Sequence, residues 1–89
     1  MSIKEIEVVN RLGLHARAAT KLVQLCTRFE SEITLVKDGK KANGKSIMAV
    51  MTLAATQGAV LTVETIGADD QQALAAIEDL FADRFGEAV

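Results

Sequence analysis

The chain has 89 residues, 49% hydrophobic and 25% charged, with a net charge of −2 and no proline. That apolar content excludes a disordered segment, and the length leads us to expect a single domain over residues 1–89. A lone Cys26 leaves no internal disulfide and suits a reducing cytosol, and aromatics are limited to Phe29, Phe81 and Phe85, so the core must be aliphatic and the stacking platform of an RNA-binding sheet is missing.

Ile6 and Val8 alternate with polar neighbours and predict a first strand at about residues 2–9. Asn10-Arg11-Leu12-Gly13 follows as a loop. From Ala16 the apolar period lengthens. Ala19, Leu22, Val23, Cys26 and Phe29 fall on one helix face, while Arg17, Lys21, Gln24 and Arg28 fall mostly on the other. Ile33 and Leu35 mark a second strand. Asp38-Gly39 is a hairpin signal, because both residues accept positive φ, and a short third strand is expected at about 40–43. Ser46 reads as the N-cap of a short helix through Ile47-Met48-Ala49-Val50-Met51, and Gln57-Gly58 closes that segment. Leu61 and Val63 share one face of a fourth strand at about 60–66, which Gly67 breaks. Asp69 with Gln72 resembles a capping box for the last helix. Its predicted apolar stripe is Leu74, Ile77, Phe81 and Phe85, and its stop is Gly86. The order β-α-β-β-α-β-α gives an α+β class, most simply one antiparallel sheet with helices on one face. The start of the chain does not read as a signal peptide, and the apolar run at Ile47–Met51 is too short to span a bilayer, so no membrane insertion is expected and a cytoplasmic location is.

His15, the only histidine, occupies the expected N-cap of the first helix within Gly13-Leu14-His15-Ala16-Arg17. A neutral imidazole can accept one backbone hydrogen bond there, but several N–H groups at a helix start remain unpaired. Those donors, the helix dipole and the Arg17 guanidinium favour a negative charge beside the ring. Residues 1–58 hold nine Lys/Arg against five Asp/Glu, while residues 59–89 hold Arg84 alone against seven acidic residues. Positive surroundings are therefore expected to keep the free ring neutral and nucleophilic. A phosphohistidine would supply the anion, with Arg17 binding two phosphoryl oxygens in a fork that lysine cannot reproduce. The pattern reads as a phosphoryl-carrying site. No metal site is expected, because one histidine and one cysteine cannot build a ligand shell, and no cofactor is implied. Cys26 reads as a small core residue.

The runs Gly13-Leu14-His15-Ala16-Arg17-Ala18-Ala19 and Gly44-Lys45-Ser46-Ile47-Met48-Ala49-Val50-Met51-Thr52-Leu53 resemble the two signature segments of the HPr family. These are the histidine phosphocarriers of the bacterial phosphoenolpyruvate-dependent phosphotransferase system. The resemblance extends over nearly the whole chain. It implies an open-faced β-sandwich of four antiparallel strands with three helices. It implies that His15 Nδ1 accepts a phosphoryl group from Enzyme I and passes it to EIIA-type domains, with Arg17 steadying the oxygens. It further implies a partner surface of Leu14, Ile47, Met48 and Met51 ringed by Arg17, Lys21 and Lys45. Ser46 matches the position that an HPr kinase phosphorylates in many members, where added charge would weaken docking to Enzyme I. The chain would then be a monomeric carrier, with no enzymatic activity of its own.

Two departures stand out. Ala18 occupies the place of the family's usual proline, which adds a backbone N–H and is expected to loosen the loop-to-helix junction slightly. Ala49 replaces a common glycine and favours its helix. Other readings are a regulatory paralogue that signals nitrogen or carbon status without feeding sugar transport, and a small α/β nucleic-acid-binding module. Low aromatic content and negative net charge argue against the second. An independent enzyme is disfavoured by the absence of a partner acid or a nucleotide loop in the sequence.

Overall fold

Alternating apolar and polar residues shape the strands, and the computed structural model, which describes residues 1–89, joins them into one antiparallel sheet. β1 (Ser2–Glu7) pairs with β4 (Val60–Ile66), β4 with β2 (Glu32–Lys37), and β2 with β3 (Lys40–Asn43), in the spatial order β1-β4-β2-β3. Register decides which side chains are covered. Val63 stands opposite both Lys4 and Leu35, and Leu35 opposite Ala42. Val63, Leu35 and Ala42 in that row are buried. Its edge member, Lys4, pairs with Glu78 of α3 (Asp70–Ala82). The next row, Glu5, Thr62, Val36 and Lys41, is partly or fully exposed. One face is thus open and the other carries α1 (Ala16–Cys26), α2 (Ile47–Thr52) and α3, which is the expected open-faced sandwich.

The core is aliphatic apart from Phe81 and Phe85. Leu22 and Cys26 of α1, Ile77 and Phe81 of α3, Val50 of α2 and Leu35, Leu61 and Val63 of the sheet are all essentially inaccessible. Each buried Leu, Ile or Val side chain contributes about 1.5–3 kcal/mol. Burial pushes the Cys26 thiol up to about 12, so it stays protonated, as a core residue should. No helix is long and apolar enough to cross a membrane.

Asp38 and Gly39 both take positive φ, 51° and 80°, as the hairpin signal requires. Other expectations shift. β1 stops at Glu7, although Val8 still bonds to the loop before β4 through its N–H to Ala59 O and its carbonyl from Gly58 N, both at 2.8 Å. α1 ends at Cys26, so Phe29 packs on the core from the turn beyond it. The stripe of α3 is Ala73, Ile77 and Phe81, with Leu74 only half-buried; Phe85 lies past the helix, in a 3-10 turn over Arg84–Gly86.

The expected capping box is absent, because Asp69 is used elsewhere. Its side chain makes no bond to the first turn of α3. It accepts from Glu30 N at 2.9 Å, Ser31 N at 3.0 Å and Ser31 Oγ at 2.5 Å, tying the entry of β2 to the entry of α3. A tertiary contact with three donors outcompetes one local cap. The Ser31 hydroxyl, followed by the Glu30 N–H, holds the Asp69 carboxyl below its ordinary value of 3.8. A depressed folded-state pKa contributes stability above the unfolded value and loses it as pH falls through the folded one. Asp69→Asn is therefore expected to lower Tm at pH 7, with the gap from the native chain closing as pH drops below about 4. Thermal melts followed by circular dichroism across pH 2–7 check this; a gap independent of pH would refute the assignment.

Candidate functional site

His15 stands at the N-cap of α1 in extended backbone (φ −71°, ψ 178°). The loop before it is held from several sides. Gly13 N donates to Asn10 O at 3.2 Å, Leu14 N to Ala55 O at 2.9 Å, and Asn10 Nδ2 to Gly13 O at 2.8 Å. Gly13 takes φ +66°, and a Cβ there would lie 2.5 Å from Ala55 O and 2.9 Å from Thr56 Cα. Only glycine fits between these two backbone segments. Leu14 is buried in the core below them, which pins the residue next to the histidine and removes Leu14 from the expected exposed partner surface.

The imidazole does not cap the helix. The N–H groups of Ala16, Arg17 and Ala18 have no backbone or side-chain acceptor; Ala18 is fully buried, so the exposed Ala16 and Arg17 supply two available first-turn donors at the ring's end of α1. Instead, His15 Nε2 hydrogen-bonds to Oε2 of Glu87, 72 residues away. The other oxygen, Oε1, accepts from Asn10 Nδ2 at 3.0 Å. These two bonds, Asn10's foremost, hold the Glu87 carboxyl below its usual range against the opposing effect of burial, and Lys21 adds to the lowering. Glu87 is thus ionised at neutral pH and can only accept. The proton of a neutral ring then sits on Nε2, and Nδ1 keeps the lone pair. This corrects the expectation of purely positive surroundings: the group in contact with the ring is a carboxylate, supplied by the acidic end of the chain.

Glu87 reaches the ring because the tail turns back sharply. Arg84 and Phe85 take left-handed φ of 55° and 56°, a conformation that costs about 1–2 kcal/mol for each L-residue. The Phe85 ring is buried against Phe81, edge to face at 4.9 Å between centroids. Lys21 Nζ donates to Phe85 O at 2.6 Å. Burial of that ring is worth about 1.5–3 kcal/mol and the aromatic pair adds to it, which offsets the strained backbone. Sequence reading missed Glu87. The only hint was an acidic residue just past the Gly86 stop and a buried phenylalanine.

Arg17 is exposed and makes no ion pair or hydrogen bond, so its fork is free beside the ring's end of the helix. Lys21, one turn further along, is engaged in holding the tail. Lys45 is not brought to the histidine: its Nζ donates to Phe29 O at 2.7 Å, beyond the C-terminal end of α1, and that helix is roughly 16 Å long. Ser46 caps α2, its Oγ accepting from Ala49 N at 3.3 Å. Ile47, Met48 and Met51 are exposed on α2, Met48 most of all. α2 starts next to Lys45 and its exit loop meets Leu14, so this apolar face runs toward the histidine. Leu12, in the loop before His15, is also exposed, at 64%.

Comparison with known proteins finds relatives over nearly the whole chain. Residues 3–83 match the family model described as PTS HPr component phosphorylation site. The chain is 48% identical over 84 residues to the phosphocarrier protein HPr of Neisseria meningitidis, covering 94% of each. It superposes on the crystal structure of HPr from Thermoanaerobacter tengcongensis with a TM-score of 0.97, 43% identity and full coverage of both chains. It also resembles Crh, the Bacillus subtilis catabolite repression HPr, at 41% identity and a TM-score of 0.64, over 90% of this chain and 94% of that one.

Two substitutions test the geometry. Gly13→Ala must displace backbone of the loop after α2, so it is expected to cost more than about 1 kcal/mol in urea unfolding; an unchanged midpoint would refute the contact. Ala18 is fully buried and its N–H is unpaired, so proline removes no hydrogen bond there. Ala18→Pro is expected to stabilise by about 0.4–1 kcal/mol through the unfolded state and, because the buried N–H cannot reach a bound oxygen, to leave phosphoryl transfer unchanged. An unchanged urea midpoint, or slowed transfer, would sink this reading of residue 18.

Proposed function

The chain belongs to the HPr phosphocarrier family, and on that footing we propose that His15 Nδ1 accepts a phosphoryl group from phosphorylated Enzyme I and passes it to EIIA-type domains. The observation that carries this reading is the Glu87 bond to Nε2, which leaves Nδ1 as the nucleophile. In the step, the Nδ1 lone pair forms the new P–N bond as the bond between phosphorus and the donor breaks. The ring keeps its Nε2 proton and gains positive charge, which the adjacent Glu87 carboxylate stabilises. The phosphoryl oxygens meet the free N–H groups of the first turn and the Arg17 fork. Transfer onward reverses the same steps, so the chain is a carrier in a relay and not an enzyme alone. Its proposed place is the cytoplasm.

The exposed Ile47, Met48 and Met51 form the apolar part of the docking surface, and Arg17, Lys21 and Lys45 its basic part. Ser46 is proposed as a regulatory phosphorylation site for an HPr kinase, since a phosphate there extends from a helix start that already binds an oxygen. The likeness to Crh, whose name places it in catabolite repression, favours a second reading in which this chain serves regulation and feeds no sugar transport.

Incubation with Enzyme I and phosphoenolpyruvate should place an acid-labile phosphoryl group on the native chain, read by mass spectrometry, and none on His15→Ala. Labelling of His15→Ala would overturn the proposal. Arg17→Ala should be labelled roughly 10–100-fold more slowly, and Ser46→Asp more slowly than the native chain. A panel of EIIA domains separates the two readings, because the sugar-transport reading requires transfer to at least one of a sugar permease.

A further inference from the structure

Asn10 is a fully buried polar side chain to which the transfer chemistry has so far assigned no role. Both hydrogens of its amide nitrogen are spent: one on Gly13 O at 2.8 Å, the other on Glu87 Oε1 at 3.0 Å. Both partners are acceptors. Turning the amide over would set Oδ1 against a carbonyl and a carboxylate, so the orientation is fixed by repulsion. In this orientation Oδ1 has no partner and is shut away from solvent. Such an orphan opposes folding, and no hydrogen bond in the molecule compensates it. What the amide provides in return is two donors from one nitrogen, one to the loop before His15 and one to the group behind its ring. Aspartate would supply neither donor, and serine only one.

We infer that Asn10 is a positioning residue for phosphoryl transfer, acting through Glu87 to fix the proton on His15 Nε2 and so present Nδ1 to the donor. This rests on the reading of His15 as the phosphoryl acceptor. Glu87 divides its oxygens, Oε1 to Asn10 and Oε2 to His15, so the carboxylate cannot rotate without losing one of them. The same amide holds Gly13 O, two residues before the histidine, so the loop and the carboxylate move as one piece. Second partners of this kind govern the tautomer and orientation of a functional imidazole.

Two measurements test the inference on the full-length chain. The first is 15N NMR of the imidazole, which requires no phosphoryl donor. The native ring is expected in the Nε2–H form, and Asn10→Ala in a mixture of both tautomers. The second is steady-state transfer from Enzyme I. Asn10→Ala should lower kcat roughly tenfold, as a misplaced reacting atom does, with KM changed less than about twofold. A purely structural asparagine would weaken the fold without coupling to Glu87. In a Glu87→Ala background, therefore, adding Asn10→Ala should cost less than about twofold in kcat. Effects that multiply, or a native tautomer ratio in a folded Asn10→Ala, overturn the inference. If Asn10→Ala does not fold, Asn10→Leu, which keeps the side-chain volume and supplies no donor, takes its place with the same expected and overturning results. Failure of the native chain to be labelled by Enzyme I would instead count against the proposed function, and the tautomer measurement would still decide the role of Asn10.

Discussion

The site depends on one carboxylate shared between two partners. Glu87 accepts from Asn10 with one oxygen and meets the His15 ring with the other. Each partner alone leaves something undefined. Without Asn10 the carboxylate is free to turn. Without the carboxylate an imidazole with no capping bond can carry its proton on either nitrogen. The rest of the molecule supports this arrangement. The left-handed residues Arg84 and Phe85, the buried Phe85 ring and the bond from Lys21 bring the tail across the start of α1, and Gly13 allows the loop to lie against the exit of α2.

The fold was largely legible in the sequence because its signals are local. Ile6, Leu61, Val63, Ile33 and Leu35 alternate, Ala19, Leu22, Val23 and Cys26 repeat with helical spacing, and Asp38-Gly39 names its own turn. Each of those features needs only neighbours within a few residues. What was misread required knowledge of distant partners. Asp69 has the residue type and spacing of a cap, yet three donors from Glu30 and Ser31 claim it. Leu14 is expected on the partner surface, yet the core takes it.

The candidate site was half legible. His15, Arg17 and the unpaired first turn of α1 follow from a short segment read together with helix geometry. Glu87 could not be found that way, since 72 residues separate it from the ring and no spacing rule links them. Charge counting misled for the same reason. It divided the chain into a basic part and an acidic part, while the fold places an acidic residue from the second against the key residue of the first. Electrostatics at a site is set by contact, and the sequence average over a segment says little about which single group is touched.

The route of the tail ties reactivity to completion of folding. Asn10 follows β1, while Phe85 and Glu87 follow α3, so the histidine meets its carboxylate only when the two ends of the chain are both in place. A molecule whose last residues have peeled away, though otherwise native, keeps His15 and Arg17 but loses control of the ring proton. Detachment of that tail would leave the nucleophile in place and free its proton to change nitrogen, so the order of the segment after α3 is coupled to the state of the ring.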